Sequence, residues 1–208
     1  MLIDFRELFP EYNLTFKGVL HVGANVGEEY EVYNELGIVR QIWIEANREI
    51  FTKLIEHVGN HLEGVDCYNV AAGNRWGRAN LHVSNNHSQS SSVLELGTHK
   101  IEHPDVYYVK DMPVTMVPLG EYLMPYELHS VDLLNLDVQG YELEVLKGLG
   151  NWVIGFKAIY TEVNKSHVYE NCVLVDDLDV YLLARGFKRV ETYWAPNKTW
   201  GDALYIRV

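Results

Sequence analysis

The chain has 208 residues, 48% of them apolar and 22% charged, and a formal net charge of −12. This is the composition of a soluble globular protein, long enough for one domain, 1–208, with a sizeable core. The acidic balance argues against a nucleic-acid partner held by phosphate neutralisation and disfavours docking on an anionic membrane. No stretch approaches the ~20 apolar residues of a membrane span. The segment from Met1 to Pro10 lacks the basic start and apolar run of a secretory signal. Cys67 and Cys172 fit no metal or redox spacing and read as buried thiols of a reducing, cytoplasmic compartment.

In chain order, residues 1–15 read as a preceding helix or arm. Val19–Val22 is a short apolar strand ended by Gly23. A helix from about Glu28 to Leu36 follows, stopped by Gly37. Gln41–Glu45 is a second strand, and Asn47 can cap the next helix, which runs towards His57. Val65–Val70 alternates and reads as a third strand. The Ser/Asn-rich run 84–92 opens an irregular segment, 84–111, expected on the substrate side, since long irregular segments in compact domains are usually functional or disordered. Leu119–Pro125 is a short helix candidate. Val131–Asp137, a helix over Tyr141–Leu149, Lys157–Glu162 and a helix over Val173–Ala184 come next. Phe187–Tyr193 and Asp202–Val208 close the chain as alternating strands with only a turn region between them. Strands separated by helices imply βαβ crossovers. The expected architecture is α/β and Rossmann-like. It has a seven-stranded, mostly parallel sheet with an antiparallel C-terminal hairpin and helices on both faces.

Ligands of such sheets bind outside the carboxyl ends of the strands. The first of those ends carries Gly23-Ala-Asn-Val-Gly27, where glycine lets the backbone turn and approach a ligand, and Asn25 tolerates positive φ. Alone, such a turn is also what any tight βα connection needs. Glu45 adds to it. It ends the second strand 18 residues after Gly27, where an acid can accept from two ribose hydroxyls. The glycine spacing that cradles a pyrophosphate is missing, as is the Lys of a phosphate-binding loop. A cofactor with an adenosine but no phosphate fits, and S-adenosyl-L-methionine is one.

At this point the sequence resembles the class I S-adenosylmethionine-dependent methyltransferases, specifically the FkbM family. The matching segments are His21-Val-Gly-Ala-Asn-Val-Gly27, Ile44-Glu-Ala-Asn47, Asn69-Val-Ala-Ala-Gly73 and the run from Val131 to Gly148 containing Asp137-Val-Gln-Gly-Tyr-Glu142. The resemblance spans roughly Val19 to Val208. It implies that His21, Gly23, Ala24, Asn25 and Gly27 line the methionine end of the cofactor. It further implies that Glu45 holds the ribose, that Ala46, Asn47 and Ala71 flank the adenosine, and that Asp137 faces the methionine moiety or the reacting centre. Two departures stand out. The family usually has Asp at the position of His21, and Lys-x-Asp-x-Glu-Gly where this chain has Asn135-Leu-Asp-Val-Gln-Gly140. The lost Lys and Glu read as an opposite pair removed together.

Methyl transfer to a hydroxyl needs alignment and a group that takes the proton. Asp137 and Glu162, at the ends of neighbouring strands, are the candidate catalytic acids. With Asn164 they are also oxygen ligands suited to Mg²⁺, a second route. Glu142 reads as a helix-dipole partner. His87, His99 and His103 read as loop histidines, or as a base or substrate contact. Ser90–Ser92 read as ligand contacts or plain loop, and Tyr193, Trp194 and Trp200 as an acceptor wall or a dimer contact. The expected function is O-methylation of a sugar, glycolipid or natural-product hydroxyl by a monomer or homodimer. The alternatives are an inactive or cofactor-sensing domain of the same fold, which the two departures keep open, and a nucleotide-dependent oxidoreductase. In this reading the −12 is partly functional, because Glu45, Asp137 and Glu162 face the site and suit a cationic sulfonium.

Overall fold

A computed structural model describes residues 3–59 and 63–208. A first helix, α1 (Phe5–Glu11), is capped by Asp4, whose side chain accepts from the Arg6 N–H. The main sheet contains β1 (Gly18–Val22), β2 (Arg40–Ile44), β3 (Val65–Tyr68), β7 (Leu133–Leu136), β8 (Ala158–Asn164), β9 (Phe187–Trp194) and β10 (Trp200–Arg207). Its order is β3-β2-β1-β7-β8-β10-β9. The first five are parallel, and β10 runs antiparallel to both β8 and β9. The seven-stranded sheet with its terminal hairpin is therefore as read from the sequence.

Side chains of the central strands alternate between two buried layers, so both faces are covered. Leu20, Val22, Ile42, Ile44, Leu134 and Leu136 pack on one face with Val145, Leu146 and Leu149 of α7 (Glu142–Leu149) and Leu178 and Leu182 of α8 (Val175–Leu183). Val19, Trp43, Leu133, Tyr160 and Leu204 pack on the other. Their partners are Phe5, Leu8 and Phe9 of α1, Tyr33 of α2 (Tyr30–Glu35), and Leu54 and Val58 of α3 (Arg48–Val58). Asn47 caps α3, its side chain accepting from the Glu49 N–H.

Between β3 and β7 the structure departs from a plain βα repeat. A second sheet, ordered β4-β6-β5, is formed by β4 (Ala71–Ala72), β5 (Gly77–Ser84) and β6 (Tyr108–Val117). It buries only Ala71, Leu81, Val83, Val114 and Met116 at its own core, which is why periodicity alone did not show it. The segment 85–107 between β5 and β6 is not without order. The Ser/Asn-rich turn bonds to itself, with Asn86 Nδ2 donating to Ser90 Oγ (2.9 Å), Ser88 and Ser91 hydroxyls 2.7 Å apart, and the Ser90 N–H donating to Ser84 Oγ (3.2 Å). A short helix, α4 (His99–Glu102), follows. Bridges His82–Ser92 and Leu96–Tyr169 tie the segment down at two places. The helix expected over 119–125 is two pieces, α5 (Leu119–Tyr122) and α6 (Pro125–His129), because Pro125 opens a new helix at its first position.

Candidate active site

The strand order reverses between β1 and β7, and the carboxyl ends of β1, β2, β7 and β8 open there onto a cavity of about 430 Å³. This is the topological switch point, and the volume is that of a small-molecule site. His21, Gly23, Ala24, Asn25, Glu45, Ala46, Ala71, Asp137 and Glu162 all line it. Gly27 and Asn47 do not. Gly27 has φ +79°, and a Cβ there would meet Val58 and Leu54 at 2.7 and 2.8 Å, so it serves the packing of α3. Asn47 is buried behind the wall, capping α3 and donating from Nδ2 to Ser88 Oγ (3.0 Å). Gly23 (φ +83°) is indispensable for a close approach, since a Cβ would stand 1.7 Å from the Asp137 carbonyl oxygen.

Glu45 is held from both sides. Its Oε2 accepts from the Asn25 N–H (2.9 Å) and its Oε1 from the Asn47 N–H (2.6 Å). Each carboxylate oxygen keeps a further acceptor site for a ligand hydroxyl. Burial pushes its pKa up to about 7, against the pull of those backbone donors. Asn25 presents a buried Oδ1 with no hydrogen-bond partner among the described residues.

His21 is accounted for by its neighbours. Asn135, its register partner on β7, donates from Nδ2 to the Tyr33 hydroxyl (2.7 Å). That hydroxyl lies 3.2 Å from His21 Nδ1, and a Glu29 carboxyl oxygen lies 3.7 Å from the same nitrogen. The ring stacks on Trp43, and burial lowers its pKa to about 3, so it is neutral. The two departures from the family pattern are thus also in contact: Asn135 connects to His21 through the Tyr33 hydroxyl.

Asp137 and Glu162 share Gln139. Its Nε2 donates to Asp137 Oδ1 and to Glu162 Oε2, the latter at 3.0 Å. Burial, then Asp202, raises Asp137 to about 6. Burial, then Glu142, Asp137 and Asp202, holds Glu162 well above the usual carboxyl range. Asn164 does not line the cavity, and its Nδ2 donates to Glu162 Oε1 (3.2 Å). The Asp137, Glu162 and Asn164 set therefore does not assemble as an Mg²⁺ site. An amide N–H occupies the space between the carboxylates, and no group of three or more His, Cys, Asp or Glu among the described residues is placed to hold a metal. Glu142 lies behind the cavity, accepting from the Gly140 N–H (3.0 Å) and holding the turn before α7.

Several lining residues were not singled out for the site. Glu28 and Glu29 come from the turn into α2, and Asp202 from β10, where it lies opposite Glu162. Glu29 has its pKa pushed to about 7 by burial. His99 and His103 both line the cavity, their rings 5.0 Å apart, with Tyr169 and Trp200 nearby. His87 is exposed. Tyr193 and Trp194 lie off the cavity, so only Trp200 of the expected aromatic wall reaches it. In sum, six carboxylic acids line the cavity, and no Lys or Arg does among the described residues.

Sheet order and site position define a Rossmann-like methyltransferase fold. Solved structures share it: Sp1610 of Streptococcus pneumoniae in complex with S-adenosyl-L-methionine (TM-score 0.54, 13% identity, 100% of this chain and 73% of that one). The magnesium protoporphyrin IX methyltransferase ChlM of Synechocystis PCC 6803 with bound SAM also matches (TM-score 0.51, 11% identity, 97% and 74%). At these identities the likeness is one of fold. The family model for the methyltransferase FkbM domain matches residues 21–189, and the chain belongs to that family. It is 26% identical over 159 residues to the 2-O-methyltransferase NoeI of Sinorhizobium fredii, covering 73% of this chain and 65% of that protein. The chain thus spans just under two thirds of that relative's length. No helix among the described residues is long and apolar enough to cross a membrane.

Proposed function

We propose that this domain transfers a methyl group from S-adenosyl-L-methionine to a hydroxyl of an uncharged, carbohydrate-like or natural-product acceptor. The observation that carries the reading is the lining: six carboxylic acids and, among the described residues, no Lys or Arg at the switch point. Such a cavity attracts a cationic sulfonium and repels a pyrophosphate or a phosphorylated acceptor. That speaks against the oxidoreductase alternative and against nucleic acid as acceptor. The donor set fits the cofactor. Glu45 has acceptor sites left for two ribose hydroxyls, and the Gly23–Asn25 turn, with the orphan Asn25 Oδ1, meets the methionine end.

When bound, the sulfonium supplies an electrophilic methyl with a good leaving group. The chain's own work is alignment and proton removal. Asp137, at the end of β7, takes the hydroxyl proton as the acceptor oxygen bonds to the methyl carbon and the carbon–sulfur electron pair returns to sulfur. Positioned bases of this kind contribute about 10²–10⁴ in rate. His99, His103, Tyr169 and Trp200 form the side from which a sugar-like acceptor approaches, with aromatic faces for its C–H surface. The 2-O-methyltransferase relative supports a hydroxyl acceptor. A methyl-transfer screen against sugars and glycolipids, with Asp137→Ala as control, tests the reading. Turnover that needs Asp137 supports it. Binding of the cofactor with no transfer to any hydroxyl compound would favour the cofactor-sensing alternative.

A further inference from the structure

Gln139 is one of the few non-glycine residues in the left-handed region, with φ +54°. Such a backbone persists where its surroundings hold it, and marks a site worth explaining. Here the Ser92 hydroxyl donates to the Gln139 carbonyl oxygen (2.7 Å) and itself accepts from the Leu94 N–H (3.0 Å). The side chain is fixed at its other end as well, because the Tyr169 hydroxyl donates to Oε1 (2.5 Å). With Oε1 taken by a donor, the two N–H bonds of Nε2 are left for Asp137 and Glu162. The reverse orientation would set the amide oxygen against two carboxylates.

We propose that Gln139 is a positioning residue that holds Asp137 and Glu162 as one acidic pair sharing a single proton. The inference deepens the reading of Asp137 as the base and rests on it for its catalytic meaning. Two carboxylates this close in a recess cannot both ionise cheaply. An amide donor to each lowers that cost without adding charge, which a third carboxylate at this position would not do. Among the described residues, the carboxyl groups around the pair oppose its ionisation: Asp202 from β10 and Glu28 from the turn into α2 raise Asp137, and Glu142 from α7 and Asp202 raise Glu162. Glu29 and Glu45 also feel the Asp137 charge, while Tyr160 and Tyr169 stay neutral, their own pKa values pushed up by burial and by these acids. Gln139 is the neutral donor common to both carboxylates.

The test is an infrared pH titration of the protein without cofactor or acceptor, following the protonated-carboxyl band assigned by its loss in Asp137→Asn and Glu162→Gln. Gln139→Leu should move the first ionisation of the pair upward by about one pH unit or more, a tenfold change in acidity. Tyr169→Phe keeps the volume, frees the amide to rotate, and should shift it the same way by less. Circular dichroism identifies which variants are folded. A folded Gln139→Leu with an unmoved midpoint overturns the proposal, and so does an unmoved Tyr169→Phe if the leucine variant does not fold. Because no ligand enters this titration, its outcome is separate from that of the methyl-transfer screen.

Discussion

Replacing Glu45 by Gln tests the ribose site directly. Both carboxylate oxygens accept buried backbone N–H groups, from Asn25 and Asn47. A glutamine has one acceptor oxygen, so its NH₂ must face one of those donors. A buried donor left unpaired costs about 1–3 kcal/mol. Part of this is offset, because burial already disfavours the ionised Glu45, and a net loss near 1 kcal/mol of stability is expected at pH 8. The larger effect falls on the ligand. The variant loses one charge-assisted bond to the ribose, about 1.5–3 kcal/mol, or roughly 10- to 100-fold in Kd. Calorimetric titration with S-adenosylhomocysteine at pH 8 reads the second quantity, and urea unfolding the first. A folded variant whose Kd changes less than about threefold would refute the ribose assignment.

Other expectations follow from the same geometry. Gly23→Ala places a Cβ 1.7 Å from the Asp137 carbonyl oxygen at φ +83°. The ends of β1 and β7 must then part, and urea unfolding should show a loss of more than about 3 kcal/mol. Asp137→Asn should lower kcat by about 10²–10⁴, and an unchanged kcat excludes Asp137 as the base. Stability without ligand should fall as pH rises from about 4.5 to about 7. Glu29, Glu45, Glu142 and Asp137 all have raised folded pKa values, so the native state holds the extra protons in that window. Each contributes up to about 1.4 kcal/mol per pH unit. His21, held neutral with its pKa lowered to about 3, opposes this below 6.5 as a single group. Urea midpoints between pH 5 and 8 that rise throughout would contradict the assignment.

Much of this was legible in the sequence because the central strands are short apolar runs ending in chemistry. Gly23, Glu45 and Asp137 directly follow their strands and Glu162 lies two residues before the end of β8, where an α/β sheet presents its ligands. What stayed hidden depends on contacts between distant segments. Asp202 reaches the site only through the antiparallel register that sets it opposite Glu162. His99, open in the sequence between loop and substrate contact, joins it because residues 96–99 dock on 167–169, with Gly97 and His99 N–H groups both donating to the Val168 carbonyl, and Trp200 because the same β8–β10 register sets it opposite Asn164. The second sheet was missed for a similar reason. Its strands bury few side chains each, and Pro113 interrupts the β pattern of β6. Gly27 and Asn47 belong to the motif but act on α3, so spacing pointed to the right loop while packing decided which of its residues face the cavity.

The central claim is that this acid-lined cavity takes a cationic adenosyl sulfonium and not a pyrophosphate dinucleotide. Parallel calorimetric titrations with S-adenosyl-L-methionine and NADH at pH 6.5, each in two buffers of different ionisation enthalpy, test it most directly. The sulfonium should bind at one site per chain and release protons, because its charge draws the raised carboxyls into their ionised forms, and NADH should not bind. Tight NADH binding with none for the sulfonium would contradict the account.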